Sequence, residues 1–432
     1  MTAITADRVQ DVPRVRDRAS VHRQVKLVVA FGIAAVLLVW FALSIDNATV
    51  HYILGERVTA DSPPKDLPAQ PVAWVSAAVA LAALVLALAD RVPRGWVGLV
   101  LYVVVGLAFY FGFIVWAYSD QTGAFQSSIA NPLPGTIRIA TPLVLGALAG
   151  CMCERAGVIN IAIEGQFLMG AFFASVAASL AFNAYMGLVG AVLAGLAMAA
   201  LLAVFALRYL VNQVVLGVVL IALASGLTSF LLSQIPSDPA IKQYLNEPPR
   251  LESLPIPLLS KIPVVGDALF NQSILVYLMY ASVAAVWFIL FQTKWGLRVR
   301  SVGEHPQAAD TVGIKVNRIR WQAVLVGGIF AGLGGAYYTV GSTGTFDRDV
   351  SSGNGFIALA AVIMGRWHPV YATMAALFFG FTWNLQSQLS FVDKIPSQLL
   401  GMTPYLATII AVAGFVGRVR PPAADGEPYV KS

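Results

Sequence analysis

The chain has 432 residues, of which 58% are hydrophobic and only 12% charged, whereas a soluble domain carries about 25% charged residues. Apolar runs long enough to cross a hydrocarbon layer of about 30 Å recur from end to end, and they are continuous rather than alternating, which excludes a soluble protein and favours membrane helices over barrel strands. The net charge of +6 does not indicate a nucleic-acid partner, because most Lys and Arg residues fall in the segments on one side of the predicted spans.

The apolar runs predict an all-α polytopic membrane protein with about 10–12 transmembrane helices, half-helices among them. In chain order the predicted spans are 27–44, 72–89, 96–118, 132–153, 158–182, 186–207, 213–234, 273–292, 321–340, 355–365, 369–385 and 403–417. With the N-terminus in the cytoplasm, most of the basic residues lie on the inner side of the bilayer. We therefore expect a multi-pass protein of the cell's inner (plasma) membrane with its N-terminus and C-terminus in the cytoplasm.

The same pattern predicts how the chain is divided. Residues 1–26 form a basic cytoplasmic tail, and residues 27–130 contain plain hydrophobic helices without internal charges, which we interpret as an extra bundle before the core. Residues 131–417 form the core, with a long cytoplasmic segment at 293–320. Residues 418–432 form a cytoplasmic C-terminal tail.

The segment CERAGVINIAIEGQFLMGA, residues 153–171, places a carboxylate inside an apolar run. If the run is a continuous helix, Glu164 lies roughly 13 Å beyond Arg155, at about 1.5 Å per residue, which is too deep for a short side chain to reach water. Glu164 must then face the protein interior, a cavity or a partner. Gly157 and Gly165 bracket GVINIAIEG and indicate a local helix break, and Asn160 is expected one turn before Glu164 on the same face.

Two hypotheses for Glu164 stay open on residue chemistry alone. In the first, the side chain is neutral or caps a broken helix by accepting hydrogen bonds from backbone amides. In the second, it lines the path of a solute through the membrane.

The outer segment 235–272 contains QIPSDPA, NEPPR and PIPLLSKIP. Its Pro and Ser residues predict an ordered, non-helical cap, with a simple solvated loop as the alternative.

The cytoplasmic segment 293–320 carries six basic and two acidic residues. Within it, GEHPQAADTVGI has the start and stop signals of one short helix. Glu304, His305 and Pro306 open a turn, and Pro suits the first helical position; small residues follow, and Gly313 can close the helix. We predict a short helix at 304–313 held at the inner face of the membrane, with a plain solvated loop as the alternative.

The next apolar run, VGGIFAGLGGAYYTVG, is rich in small residues. Gly328 and Gly332 stand four apart, as do Gly146 and Gly150 upstream, and this spacing lets two helices approach closely. Packing inside the bundle is the simpler explanation, and a seam between two subunits is the alternative. Farther on, GNGFIALAAVIMGRWHP is short and stops at Arg366, which indicates a half-helix that enters the membrane and breaks.

Some kinds of chemistry have no support in the sequence. The phosphate-binding pattern GxxxxGK[ST] is absent, so we expect the energy for any transport to come from a partner or an ion gradient. No nucleophile–base or metal-ligand spacing occurs, and Cys151 and Cys153 are too close for an unstrained disulfide. We therefore predict no enzyme activity, no catalytic residue, no metal and no cofactor.

Three segments carry a resemblance to a known family. ERAGVINIAIEGQFLMGAF, GLRVRSVGEHPQAADTVGIKV and GNGFIALAAVIMGRWHPVYATMAALFFG occur in this order. They resemble the signature segment, the cytoplasmic coupling segment and the late core helices of the permease subunits of nucleoside and simple-sugar ABC importers, within the branched-chain amino acid permease-like superfamily. The N-terminal part, of about 130 residues, departs from this core pattern.

The resemblance implies an ABC importer permease-like fold and a set of partners: a cytoplasmic ATP-binding subunit, a second permease subunit, an extracytoplasmic solute-binding lipoprotein and the lipid bilayer, with no nucleic acid. It also implies residue roles. The positions that match the ATPase-coupling motif are Glu304, Ala308, Ala309 and Gly313, and the substrate-path candidates in the signature segment are Arg155, Asn160, Glu164 and Gly165.

The expected function is half of the translocation pathway for nucleosides, driven by a separate ATPase. Simple sugars or branched-chain amino acids are the alternative solutes within the same family. A proton-coupled secondary transporter that uses Glu164 is the alternative mechanism, although such a carrier has no need of a short punctuated helix below the membrane.

Overall fold

A computed structural model of the chain describes residues 18–46, 49–52, 65–119, 131–236, 238–390, 396, 398–399, 401–402, 406, 409 and 420–430. Within these residues the secondary structure is helical apart from short strands. The helices are α1 (Arg18–Ser44), α2 (Ala69–Leu88), α3 (Trp96–Tyr118), α4 (Pro132–Glu154), α5 (Ile163–Ala181), α6 (Ala184–Ala203), α7 (Gln213–Ser233), α8 (Pro239–Leu245), α9 (Val265–Phe270), α10 (Ile274–Gln292), α11 (Lys294–Glu304), α12 (Pro306–Thr311), α13 (Val316–Ala336), α14 (Asn354–Met364) and α15 (Pro369–Leu389). The strands are β1 (Thr49–Tyr52), β2 (Lys65–Pro68), β3 (Ser253–Pro255) and β4 (Asn271–Ser273).

The prediction of an all-α polytopic membrane protein is confirmed. Nine helices in the described part of the chain are long and apolar enough to cross a membrane, and each coincides with one of the first nine predicted spans. The predicted span at 355–365 is α14, whose 11 residues are too few to cross, so the half-helix prediction is also confirmed. The predicted span at 369–385 lies within α15, and most of the one at 403–417 lies outside the described residues.

Helices α1–α3 belong to one compact unit, together with the antiparallel pair of β1 and β2. Its packing depends on small residues, because α2 buries alanines at helical spacing while its larger side chains face outward. The buried alanines are Ala69, Ala73, Ala77, Ala80, Ala83 and Ala87. Aromatic rings pack α1 against α3, where Phe41 stacks on Trp116 with ring centroids 4.6 Å apart.

Helices α4–α15 form the second compact unit. Its central helices are α4, α5 and α13: of the residues in their apolar stretches, 89%, 78% and 72% are buried. In α7 and α10 only 28% of these residues are buried. The exposed side chains of α7 and α10 are large and apolar, among them Val218, Phe230 and Phe288. The peripheral helices therefore present an apolar surface suited to lipid, while buried polar side chains lie on the central helices.

Glycines allow the backbones of α6 and α13 to touch. A Cβ at Gly195 would overlap the carbonyl oxygen of Gly328, and one at Gly332 would overlap the carbonyl oxygen of Ala191. The glycines four apart on α13 therefore pack inside the chain, as small residues at this spacing do in membrane helices. Upstream, Gly146 lies against Phe167 in the same way, which supports internal packing over a seam between subunits for both glycine pairs.

The prediction of a non-helical cap at 235–272 is wrong in part. This segment contains α8 and α9, the 3-10 turn Leu259–Lys261 and strand β3, which pairs with β4. It is ordered against the core, since the backbone N–H of Leu251 donates to the carbonyl oxygen of Val340. The prolines of this segment do not prevent helices, because Pro239 stands at the start of α8, where a missing N–H has no cost.

Candidate functional site

The connection between α4 and α5, residues 155–162, is the predicted helix break. Helix α4 ends in a turn in which the N–H of Gly157 donates to the carbonyl oxygen of Glu154, and that of Val158 donates to Cys153. Gly157 has φ of +82°, a conformation that favours glycine at a helix C-terminus. The chain then runs without helical structure until Ile163. Gly157 therefore marks the break as expected, whereas Gly165 lies within α5.

Glu164 lies in the first turn of α5 and caps the N-terminus of α14. Its Oε1 accepts hydrogen bonds from the Ser351 hydroxyl at 2.6 Å and from the backbone N–H of Gly353 at 2.8 Å. Its Oε2 accepts from the backbone N–H of Gly355 at 2.6 Å. The side chain is 6% exposed. An acidic group at a helix N-terminus satisfies N–H groups that have no partner within the helix and is favoured by the helix dipole.

The close approach of α5 and α14 depends on a glycine. A Cβ at Gly355 would overlap the backbone nitrogen of Glu164. Any other residue at this position would push α14 away from the carboxylate that caps it.

Arg155 holds the opposite end of the same half-helix. Its Nε donates to the carbonyl oxygen of Trp367 at 2.9 Å, and its Nη2 donates to that of Arg366 at 3.3 Å. These carbonyls belong to the turn after α14, in which Arg366 and Trp367 have φ of +53° and +55°. Burial lowers the pKa of Arg155. A cation at the helix C-terminus complements the dipole, so the two ends of α14 are held by opposite charges from one short stretch of chain.

Asn160 does not lie on a helix with Glu164, and the prediction that the two share a helix face is wrong. Residues 155–162 are not helical, so the four-residue spacing carries no geometric meaning there. The side-chain amide of Asn160 instead donates to Gln166 Oε1 at 3.1 Å and to Cys153 Sγ at 3.6 Å. Asn160 is fully buried, and its hydrogen bonds link the connection 155–162 to α4 and α5.

Gly165 provides space for a neighbouring helix. A Cβ at this position would lie 3.0 Å from the carbonyl oxygen of Leu220 and 3.2 Å from Ala224, both on α7. The substrate-path candidates therefore divide into two groups: Glu164 and Arg155 hold α14, while Asn160 and Gly165 shape the start of α5.

Two buried ionisable side chains are not indicated by the sequence. Glu154, the last residue of α4, is 3% exposed, and its Oε2 accepts a hydrogen bond from Trp367 Nε1. Arg320, on α13, is fully buried. Both lie next to the predicted ends of apolar spans, where a charge is expected to reach water, so the sequence carried no signal for their burial.

Two helices precede α13 where one was predicted. Helix α11 begins after Thr293, whose hydroxyl accepts from the N–H of Gly296 at 3.0 Å, and ends at Glu304. After His305, Pro306 occupies the first turn of α12. Gly313 follows with φ of +85°. The short helix and its start and stop signals are confirmed, with Glu304 placed at the end of α11 and not in the short helix.

The ATPase-coupling candidates do not all face outward. Glu304, Ala308 and Gly313 are exposed, whereas Ala309 is 4% exposed and packs into the core. Val312, between the end of α12 and Gly313, is 75% exposed. This edge therefore combines an exposed carboxylate, a small residue and an apolar side chain.

Helix α11 contacts the α4–α5 connection directly. A Cβ at Gly303 would overlap the carbonyl oxygen of Arg155. The contact between Gly303 and Arg155 thus connects the coupling candidates at 304–313 to α14. Arg155 holds the C-terminal end of α14, and Glu164 caps its N-terminus.

The chain is similar in sequence to known transport permeases. Residues 133–416 match the family model described as branched-chain amino acid transport system / permease component. The guanosine ABC transporter permease protein NupQ of Bacillus subtilis (strain 168) is 41% identical over 310 residues, covering 69% of this chain and 96% of that protein. The nucleoside ABC transporter permease protein NupC of Lactococcus lactis subsp. cremoris (strain MG1363) is 38% identical over 308 residues, covering 68% and 94%.

A third relative is named for a different solute. The putative glucose ABC transporter permease protein TsgC13 of Haloferax volcanii is 34% identical over 263 residues, covering 60% of this chain and 78% of that protein. No solved structure gives a significant match to the chain.

Proposed function

The chain belongs to the family of branched-chain amino acid transport system permease components, and from this premise we propose that it forms half of the translocation pathway of an ABC importer for nucleosides. The observation that carries the choice of solute is the similarity to two permeases named for guanosine and nucleoside transport, each covered over more than nine-tenths of its length. The importer would reside in the inner (plasma) membrane, with both termini of this subunit in the cytoplasm.

The proposed partners follow from the same assignment. A cytoplasmic ATP-binding subunit would hydrolyse ATP, because this chain has no phosphate-binding loop. A second permease subunit would complete the pathway, and an extracytoplasmic solute-binding lipoprotein would deliver the nucleoside. The subunit itself would catalyse no reaction.

The geometry supports a series of contacts through which ATP hydrolysis in the partner subunit would displace helices of the translocation pathway. The ATPase would bind the exposed edge formed by Glu304, Ala308, Val312 and Gly313. A displacement of α11 would act on Arg155 through the contact at Gly303, and Arg155 would act on α14. Because packed elements move as units and not by continuous deformation, α14 would shift against α5.

Within this scheme Glu164 and Arg155 act on the solute path by positioning α14. The carboxylate of Glu164 has three donors and lies at the junction of two helices, which favours the capping hypothesis over direct solute contact. Asn160 and Gly165 would keep the start of α5 in place while α14 moves.

The test is uptake of radiolabelled nucleosides and glucose in cells that carry this gene and its neighbouring transport genes. We expect nucleoside uptake to be lost when either this chain or the ATP-binding subunit is removed, and to be insensitive to a protonophore while ATP is maintained. Uptake that persists without the ATPase and collapses with the protonophore would instead establish a proton-coupled carrier.

A simple sugar is the second candidate solute, because TsgC13 is named as a putative glucose permease. The same experiment separates the two. Loss of glucose uptake with intact nucleoside uptake, after deletion of this gene alone, would overturn the nucleoside assignment and leave the importer assignment in place.

A further inference from the structure

The C-terminal segment, residues 420–430, lies against the coupling end of the second unit. We propose that this segment is a coupling element: anchored on α13, it holds the end of α11 to the α4–α5 connection, so that movement of the coupling helices reaches α14. The inference rests on the proposed function, since it takes α11 and α12 to be the helices on which an ATPase acts.

The segment binds the end of α11 through two hydrogen bonds. The backbone N–H of Ala424 donates to the carbonyl oxygen of Gly303 at 2.9 Å. The backbone N–H of Ala423 donates to Glu304 Oε2 at 3.2 Å. The first contact occupies a carbonyl that the last turn of a helix leaves free. The second gives Glu304, a predicted coupling residue, a specific partner within the chain.

The segment also binds the α4–α5 connection. The N–H of Gly426 donates to the carbonyl oxygen of Gly157 at 3.3 Å. A Cβ at Gly157 would lie 2.9 Å from the carbonyl oxygen of Ala424, and one at Gly426 would lie 2.6 Å from the side chain of Ile159. Two glycines with positive φ therefore allow the two stretches of backbone to pack together.

A buried arginine anchors the segment to α13. Arg320 is fully buried, and its Nη1 donates to the carbonyl oxygen of Glu427 at 2.8 Å, while its Nη2 lies 3.5 Å from that of Ala424. These are the acceptors that the described residues provide for the guanidinium. Because a buried charge without partners is strongly destabilising, α13 needs the docked segment, and the docked segment is held firmly at this point.

The two attachments differ in kind. Arg320 is enclosed, whereas Glu304 is exposed and can exchange its partner for water. The side chain of Tyr429 also lies near enough to Asp310 on α12 for the two to interact. An element fixed on α13 and joined to α11 and α12, with an exposed contact at Glu304, can pass on, or resist, a displacement of those helices relative to the α4–α5 connection.

The first variant to test is Gly426→Ala in the assembled importer with its ATPase, reconstituted into lipid nanodiscs. Its added methyl group would meet the side chain of Ile159, and alanine rarely adopts the φ of +78° found at this position, so both effects disfavour the docked segment. The matched control is Gly95→Ala, which also replaces a glycine of positive φ but meets no atom within 4 Å. We expect a fall of about tenfold in nucleoside-stimulated ATP hydrolysis for Gly426→Ala, no change for the control, and unchanged co-purification of the ATPase with both.

A second variant removes residues 420–432 in an Arg320→Met background, which avoids leaving a charge buried without acceptors. We expect the same loss of stimulation. Full stimulation in both the truncated chain and Gly426→Ala would overturn the proposal.

A third variant separates this proposal from the proposed function. Deletion of 306–313 is expected to abolish stimulated hydrolysis and ATPase binding, whatever the role of the C-terminal segment. If this deletion has no effect, the coupling assignment itself fails. If it abolishes both while the C-terminal variants behave as wild type, only the coupling role of the segment fails.

Discussion

The carboxylate of Glu164 accepts a hydrogen bond of 2.6 Å from the backbone N–H of Gly355, so that one membrane helix carries the N-terminal cap of another. The same carboxylate also accepts from the N–H of Gly353. At the far end of α14, Arg155 binds the carbonyls of the following turn. A helix of 11 residues, too short to be stabilised by its own length, is thus held between two charged side chains that lie close together in sequence.

We expect Glu164→Gln to reduce nucleoside uptake several-fold and Glu164→Ala to abolish it. The glutamine amide can accept at only one of its two terminal atoms, which leaves a buried N–H without a partner at a cost of about 1–3 kcal/mol. Ser351→Ala, which removes one donor and leaves the carboxylate in place, is the milder control. Uptake and thermal stability in detergent would be measured for all three variants. Wild-type values for Glu164→Gln at every pH tested would contradict the capping role in transport.

Arg155→Lys should also impair uptake, although it keeps the positive charge. A lysine ammonium cannot reproduce the planar arrangement by which the guanidinium reaches two carbonyls. Because Arg155 and Glu164 hold opposite ends of one helix, we expect the double variant with Glu164→Gln to lose less stability than the sum of the single losses, by roughly 0.5 kcal/mol or more. Strict additivity in such a cycle would show that the two ends of α14 are independent.

Glu304→Lys is expected to abolish uptake while the protein remains inserted in the membrane. The substitution reverses the charge at the exposed edge and removes the acceptor for the N–H of Ala423. Uptake and co-purification with the ATP-binding subunit would be compared with those of Glu252→Lys, which changes another exposed carboxylate outside this edge. Equal uptake by the two variants would remove Glu304 from the coupling machinery.

Docking of the C-terminal segment should weaken as the pH rises. Burial raises the pKa of Asp425 from 3.8 to about 7, an effect that Arg320 on α13 partly offsets, while the neighbouring Glu154 and Cys153 on α4 also interact with it. Since the docked carboxyl binds its proton more tightly than the free one, its contribution is fully present below a pH of about 4 and is lost as the pH passes through about 7.

This pH dependence can be followed with a cysteine at Ala424, which is 3% exposed, and one at the exposed neighbour Ala423. The native Cys151 and Cys153 are buried. We expect the ratio of maleimide labelling at 424 to that at 423 to rise between about pH 5.5 and 8, and Asp425→Asn to keep the ratio low throughout. A ratio that changes equally in Asp425→Asn would exclude Asp425 as the titrating group.

Gly332→Ala should destabilise the protein by about 1–3 kcal/mol, because the added methyl group would separate α13 from α6. Gly226→Ala on α7 is the matched control, since nothing lies within 4 Å of its Cβ position and alanine is the better helix former. Thermal unfolding in detergent would be measured for both. A loss of stability in Gly226→Ala as large as that in Gly332→Ala would show that the contact between α13 and α6 does not set the cost.

The sequence predicted features that depend on neighbouring residues. The apolar runs located nine spans, the length of 355–365 identified a half-helix, and Pro306 and Gly313 marked a short helix, because each of these signals lies within one turn of the structure it specifies. The burial of Glu164 followed from the apolar residues on both sides of it.

Features that depend on distant residues were not predicted. Glu164 and Gly355 are 191 residues apart, and no local pattern pairs them. The prediction that Asn160 shares a helix face with Glu164 is wrong because it assumes a helix across the break at Gly157. Arg320 belongs to the predicted cytoplasmic segment 293–320, and no local pattern indicates its burial, because its acceptors lie in a C-terminal stretch of ordinary polar composition.

The separation between Glu164 and its partners has a consequence for biosynthesis. Residues 153–171 leave the ribosome long before residues 351–355, so the carboxylate has none of its three donors when α5 is first made. Keeping it in hydrocarbon during that interval would cost roughly 2.5 kcal/mol or more. We therefore expect the start of α5 to remain in contact with water in nascent chains that end before α14, and to reach its final depth only when the half-helix has been synthesised and bound.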